Sequence, residues 1–322
     1  MTSMHAAVVT SFDEPPHYLD FAVPQPNGEH QQLATVLAVG LHPRVRTDAT
    51  GRHYSSTGVL PMIPGIDGVA RLDDGTLIYF VADDEVLGPM AEKTVVDIRR
   101  SVELPAGADV LRIAAAMNPA MSSWVALRRR VPIEHGQSVL VLGATGNAGA
   151  MAIQVAKRLG AGRVVGAGRD ATRLTALSDI GADAVVQLTD DAEATASALG
   201  DSAADVDIVI DYLWGEPTQR AITALLVARS DRSQALNWIQ IGAMAGPSIE
   251  LPSVALRSAN LRIQGNGQGA VSARDYLAEL PSLIEEIDAG TFSITPRAIP
   301  LRDVEAAWMN HDAPGQRTVI VP

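Results

Sequence analysis

Residues 138–170, SVLVLGATGNAGAMAIQVAKRLGAGRVVGAGRD, hold the residue types that could bind a dinucleotide. Gly143, Gly146 and Gly149 bracket a turn in which bare backbone can approach a pyrophosphate. The helix opening there presents unpaired N–H groups and the positive end of its dipole to that charge. An NAD site places Asp or Glu roughly 20 residues after such a turn, on the ribose 2′-hydroxyl. Here the corresponding strand ends in Gly168-Arg169-Asp170. A guanidinium at Arg169 can grip a 2′-phosphate with a forked pair of bonds, where a carboxylate would repel it. Arg173, one helical turn on, is a second grip, so NADPH is the preferred cofactor. Two other readings stand beside it. Asp170 could hold the ribose hydroxyl, or both arginines could be solvated residues at a helix start.

These residues need a particular set of elements to position them. Residues 139–142 form an apolar, β-branched run, as expected of a strand buried on both faces. Ala148, Met151, Ala152, Val155, Ala156 and Leu159 then follow the helical period, with Gln154, Lys157 and Arg158 on the other face. Gly160 stands where a glycine stops a helix. Further strand candidates at 164–167, 184–187, 208–211, 238–242 and 261–264 alternate with helical patterns, which predicts a doubly wound parallel sheet. The first 115 residues are different. Short β-like runs at 5–9, 33–39, 68–72, 76–81 and 94–98 are broken by proline and glycine, which suggests a compact β-barrel. After Gly269 come a helix over 273–289 and two short strands, near Ala298 and over 318–321. The fold class expected is therefore α/β, a β-barrel domain (1–115, returning at 269–322) around a Rossmann domain (116–268).

Composition narrows the function. The 322 residues carry a net charge of −12, which argues against nucleic acid or an anionic membrane as partner. There is no cysteine, which removes disulfides, thiolate catalysis and cysteine-based zinc sites, and fits a cytoplasmic protein. The start, MTSMHAAVVT, does not read as a signal peptide, and no run approaches the length of a membrane helix.

Several landmarks stand in order along nearly the whole chain: AVGLHP, LPMIPGIDGVA, SSWVAL, VLVLGATGNAG, GADAVVQL, VDIVIDYLWGE, IQIGAMAG, IPLRDVEAAW and GQRTVIVP. Together they resemble the medium-chain dehydrogenase/reductase superfamily, in its zinc-free quinone oxidoreductase (zeta-crystallin-like) branch. The resemblance implies a GroES-like catalytic domain and a Rossmann domain that binds NADP(H). It also implies a homodimer joined through the edges of the Rossmann sheets, with the strand at 261–264 exposed for pairing. Carried onto this chain, it places Thr145, Gly146, Asn147 and Ala148 along the pyrophosphate turn and Ser122 near the nicotinamide. Gly168, Arg169 and Arg173 fall at the 2′ position. Tyr212, Gly242, Ala243 and Met244 flank the ribose and nicotinamide, and Gly265 and Asn266 meet the carboxamide through backbone groups. Ala144 stands where the fingerprint has its first glycine.

The zinc-dependent relatives suggest where a metal would sit. His42 occupies the first ligand position, but Ile66 takes the second and the third cysteine is missing, so no metal site is expected. Without a Lewis acid, acceptors that delocalise their own charge are favoured: quinones and α,β-unsaturated carbonyls. His42, His53 and Tyr54 lie in the segment that borders the substrate in relatives. His42 is the first choice as donor or orienting group, with pocket wall as its alternative, and Tyr54 the second. Two other functions remain open. One is an enoyl-thioester reductase, docking through Arg128-Arg129-Arg130 or Arg44 and Arg46; the other is a non-catalytic NADPH-binding sensor or crystallin-like protein.

Overall fold

Period-two alternation builds the first part of the chain and continuous apolar runs build the second, and the two give different sheets. In the computed structural model, residues 2–52, 56–82, 86–267 and 269–322 are described. His53 and Tyr54 lie outside the described residues. The chain divides into two compact units, Met1–Asn118 with Leu280–Pro322, and Pro119–Glu279.

The first unit begins with β1 (Ser3–Val8) paired antiparallel with β2 (His17–Ala22). Then follow β3 (Gln31–Gly40), helix α1 (Pro43–Asp48), β4 (Asp67–Arg71), β5 (Leu77–Val81), β6 (Lys93–Asp97) and β7 (Ser101–Glu103). The ten-residue β3 serves three partners in turn: β6 through residues 31–35, β4 through 35–38, and the last strand of the chain through Val39 and Gly40. A register shift between Val36 and Ala38 lets it change partners, because a bulge bends a strand. His42 ends up on the far side of that bend, just before Pro43 starts α1. The β2 strand, HYLDFA, escapes a sequence reading because its burial is partial and without clean alternation.

The second unit is a parallel six-stranded sheet. Helix α2 (Val110–Val125) leads into it, and β8 (Ser138–Leu142), α3 (Asn147–Arg158), β9 (Arg163–Gly168), α4 (Ala171–Thr175) and β10 (Ala184–Gln187) form one half. The other half is α5 (Ala192–Ala203), β11 (Ile208–Asp211), α6 (Gly215–Ala228), β12 (Leu236–Gln240), α7 (Ser253–Arg257) and β13 (Leu261–Gly265). The order β10-β9-β8-β11-β12-β13 reverses direction between β8 and β11, and ligands of such sheets bind beyond the carboxyl ends of the strands at that switch point. Val139, Leu140, Val141 and Leu142 are fully buried, as a strand covered on both faces requires. β12 starts at Leu236, before the expected 238, because Leu236 and Asn237 pair with Leu261 and Arg262.

Helix α8 (Ala273–Asp288) returns the chain to the first unit, which is completed by β14 (Thr295–Pro300), α9 (Val304–Met309) and β15 (Gln316–Val321). The unit boundary falls inside α8, not at residue 268 as the sequence pattern suggests. The first turns of that helix belong to the Rossmann unit because Glu279, 3% exposed, pairs with Arg128 and Arg129, and the Tyr276 hydroxyl meets the Met121 sulfur.

Candidate functional site

The glycine turn is built by removing side chains. Gly143 adopts φ +86°, and its N–H and that of Ala144 both donate to the Ala167 carbonyl at 2.9 Å. A Cβ at Gly149 would lie 2.2 Å from the Gly143 oxygen, so this glycine lets α3 approach β8. Gly146 differs: a Cβ there would meet only the Gly143 oxygen, at 3.5 Å. It is the N-cap of α3 and makes no side-chain capping bond, which suits a helix start that receives an anion. Thr145 packs its side chain against Gly168, where a Cβ would come within 2.7 Å of it. Thr145, Gly146, Asn147, Ala148 and Gly168 therefore lie along one turn, at which only Gly146 leaves open room for an added side chain. A dinucleotide phosphate fits it.

Beyond β9, the two arginines and Asp170 separate into different roles. Asp170 accepts from the Arg173 backbone N–H at 3.0 Å and caps α4. The same carboxylate lies 3.4 Å from the Arg173 Nε, and the Arg173 Nη1 donates to the Thr145 carbonyl at 3.4 Å. Arg169 is exposed, and its guanidinium makes no hydrogen bond or ion pair within the described residues. Arg169 is thus the free cation at the end of β9, while Arg173 ties that end to the phosphate turn.

A second group gathers around Tyr212. Its hydroxyl lies 2.9 Å from the Ser122 Oγ, and burial pushes its pKa up to about 12, hydrogen bonds from Ser122 and Ser123 pulling the other way. The Asn266 side-chain amide donates to the Ser122 carbonyl at 2.9 Å, and Met244 N–H donates to the Tyr212 carbonyl at 3.2 Å. Gly242 packs on the Tyr212 backbone, where a Cβ would lie 2.8 Å from its oxygen. Ser122, Tyr212, Gly242, Met244 and Asn266 therefore form one cluster. Ala243 and Met244 are exposed. Gly265 is exposed too, but its carbonyl accepts from the Arg130 Nε at 2.9 Å.

Sequence reasoning passes over the carboxylate that holds this region. Asp211 ends the apolar strand β11, fully buried. One oxygen accepts from the N–H groups of Leu213 and Trp214 at 2.8 and 3.0 Å. The other accepts from the Thr218 hydroxyl at 2.6 Å and the Trp238 indole at 3.0 Å. A lone acid at the end of IVID is the available signal; its partners come from β12 and α6 and leave no trace in local spacing.

In the first unit, the position expected for a metal ligand is a closed polar cluster. The His42 Nε2 lies 3.1 Å from Asp67 Oδ1, and the Tyr79 hydroxyl donates to Asp67 Oδ2 at 2.7 Å. His42 is 1% exposed, Asp67 3% and Tyr79 0%. Arg317 donates to the Leu41 carbonyl at 3.0 Å beside them. Burial holds the His42 imidazole below its ordinary range, with Asp67 opposing. A neutral His42 that donates its Nε2–H to Asp67 carries no proton at Nδ1, which is buried and without a partner. The geometry therefore opposes His42 as a proton donor and leaves it an orienting or wall residue. Zinc does not fit these residues, because both Asp67 oxygens are engaged and no third His, Cys, Asp or Glu joins the pair among the described residues.

The arginines considered for docking are engaged elsewhere. Arg128 and Arg129 converge on Glu279, Arg130 on the Gly265 and Ala270 carbonyls, and Arg46 on the carbonyls of Trp308, Ala307 and Asn310. Arg44 pairs with Asp48 at 3.6 Å.

A parallel sheet with this strand order and a glycine turn at the switch point is a doubly wound dinucleotide-binding arrangement. Residues 148–272 match the family model described as zinc-binding dehydrogenase. A probable NADPH-dependent quinone reductase of Emericella nidulans is 32% identical, over 99% of this chain and 100% of that protein. Human quinone oxidoreductase is 34% identical over 44% of this chain and 45% of its own. Among solved structures, the quinone oxidoreductase of Thermus thermophilus has a TM-score of 0.81 at 22% identity, covering 99% of this chain and 100% of its own. The chain belongs to the quinone oxidoreductase branch of the medium-chain dehydrogenase/reductase superfamily. No helix among the described residues is long and apolar enough to cross a membrane.

Proposed function

We propose that this protein is an NADPH-dependent reductase that delivers hydride to a quinone or an α,β-unsaturated carbonyl. The observation that carries the cofactor choice is the division of labour after β9. Asp170 is committed to capping α4 and to Arg173, so Arg169 meets a 2′-phosphate without a competing carboxylate. The relatives' names point the same way. Thr145, Gly146, Asn147 and Ala148 would hold the pyrophosphate, Gly168 and Arg169 the adenosine ribose. Ser122, Tyr212, Gly242, Ala243, Met244, Gly265 and Asn266 would border the nicotinamide half.

NADPH, when bound, supplies the hydride. The chain's own residues bind, orient and exclude water. Tyr212 keeps its proton throughout the physiological range, because burial raises its pKa, so it acts as a neutral hydrogen-bonding wall. With His42 closed off by Asp67, protonation of the reduced acceptor falls to solvent, which suffices when the anion is already delocalised.

The cysteine-free composition suits a reducing cytoplasm. β13, at the end of the strand order, offers an edge that no described strand pairs, for a homodimer to be checked by light scattering. The enoyl-thioester reading loses its docking patch, since the arginines proposed for it are engaged within the protein. Steady-state NADPH oxidation with 9,10-phenanthrenequinone and with a crotonyl thioester tests the assignment. Turnover of the quinone is expected. Turnover of the thioester alone would favour the acyl reading, and tight NADPH binding without turnover of either would leave a sensor.

A further inference from the structure

Trp214 is the one described non-glycine residue with positive φ, at φ +51° and ψ −165°. For a bulky side chain this backbone region is strained, and it persists only where the surroundings impose it. The surroundings here can be named. The Asp211 carboxylate holds the N–H groups of Leu213 and Trp214, Ala245 N–H donates to the Leu213 carbonyl at 2.7 Å, and Gly215 packs on the Ala245 backbone. A glycine at residue 214 would satisfy the same backbone without strain. The chain instead carries an indole there. It stands three residues beyond the carboxyl end of β11, at the switch point, on the loop whose Tyr212 and Leu213 side chains pack against Gly143 of the phosphate turn. Trp214 is partly buried, and its indole N–H has no hydrogen bond within the described residues.

We propose that Trp214 is the aromatic wall on which the flat face of a conjugated acceptor rests, and that its strained backbone is kept to aim that ring. This rests on the reductase reading above. An offset-stacked ring gains most from an extended planar acceptor and little from a short acyclic one. Trp214 is then a specificity residue rather than a proton donor.

Three variants separate the backbone from the ring. At an ordinary loop residue alanine is at least as stabilising as glycine; here W214G should melt above W214A by a few degrees. With 9,10-phenanthrenequinone, kcat/KM should fall about five- to tenfold in both W214G and W214A and recover to within about twofold in W214F. With a short acyclic enone the same variants should stay within about twofold of the parent, and NADPH affinity should not change. W214G melting at or below W214A overturns the strain. Equal losses on the two acceptors, or none, overturn the wall. Parent protein that binds NADPH but reduces neither acceptor overturns the reductase reading and the wall together, and the melting comparison still decides the strain.

Discussion

The phosphate turn in one unit and the His42 cluster in the other are opposite ways to use polar groups. Around Gly143, Gly146 and Gly149 the chain uses glycine, one of them to let α3 approach β8, and the N-cap of α3 makes no side-chain hydrogen bond, so Gly146 keeps room beside the helix start. Around His42 the side chains answer one another: imidazole to Asp67, Asp67 to Tyr79, Arg317 to a carbonyl. The difference separates a site from a scaffold. A group whose partners are all internal is committed to the fold, whatever chemistry its type suggests. An exposed group or turn whose natural partner is missing is available to a ligand, whereas a partnerless atom sealed in the core, such as His42 Nδ1, is not. Arg169 and Arg173 repeat the contrast within one loop, and so do Arg169 and the engaged Arg128–Arg130 run.

The largest effect should come from the turn itself. Gly149→Ala puts a methyl 2.2 Å from a backbone oxygen that cannot rotate away, so α3 must move off β8. A loss of about 2–4 kcal/mol in stability is expected, with loss of NADPH binding, read by chemical denaturation and fluorescence titration. Gly146→Ala, with 3.5 Å of room and φ −83°, should stay within about 1 kcal/mol of the parent yet weaken NADPH, because its methyl enters the ligand's space. If the two variants behave alike, the turn is not divided into a packing glycine and a ligand glycine.

Arg169→Ala comes next. Removing a forked, charge-assisted grip should raise the NADPH dissociation constant about thirtyfold or more, while NADH changes little and the melting temperature holds. Equal effects on both cofactors would move the ribose contact to Asp170.

How much of this is visible in the chain depends on whether the cause is local. The strand–turn–helix of β8 and α3, with Gly160 at φ +100° after it, follows from neighbours in sequence, and the pattern places it within a residue. The strand candidates of the second unit are legible for the same reason, since buried parallel strands are continuous apolar runs. Asp170 is ambiguous in sequence, because one carboxylate can cap a helix or hold a ribose, and only the Arg173 geometry separates the two. The His42–Asp67–Tyr79 set joins residues from three separate stretches, and nothing in their spacing announces it. Trp214 reads in sequence as a residue that could shape the pocket or fill the core. Its strained backbone is invisible there, because it is imposed by Asp211, whose other oxygen is fixed by Trp238 on the neighbouring strand.

Asp67→Asn tests the scaffold side of the comparison. It keeps the shape but gives His42 and Tyr79 an amide in place of a carboxylate, leaving a buried donor poorly matched. A loss of about 1–3 kcal/mol is expected by denaturant midpoint, with NADPH affinity unchanged. A change in NADPH affinity without a change in stability would make the cluster part of the site.

The smallest effect is a slope. Burial, reinforced by Arg317 and Arg44 and opposed by Asp67, holds the folded His42 pKa below its unfolded value of 6.5. As pH falls through 6.5 the unfolded chain takes up a proton that the folded chain refuses. The contribution of neutral His42 is therefore fully present above that pH, and is lost progressively below it until the folded pKa is reached. Urea midpoints of the parent should decline from pH 8 toward pH 5 more steeply than those of His42→Asn, which lacks the titrating ring. The NADPH affinities of the two proteins should follow one pH curve, because the phosphate turn owes nothing to this histidine. Parallel midpoints would show that His42 is as hydrated as a surface residue, and the closed cluster would no longer stand apart from the open turn.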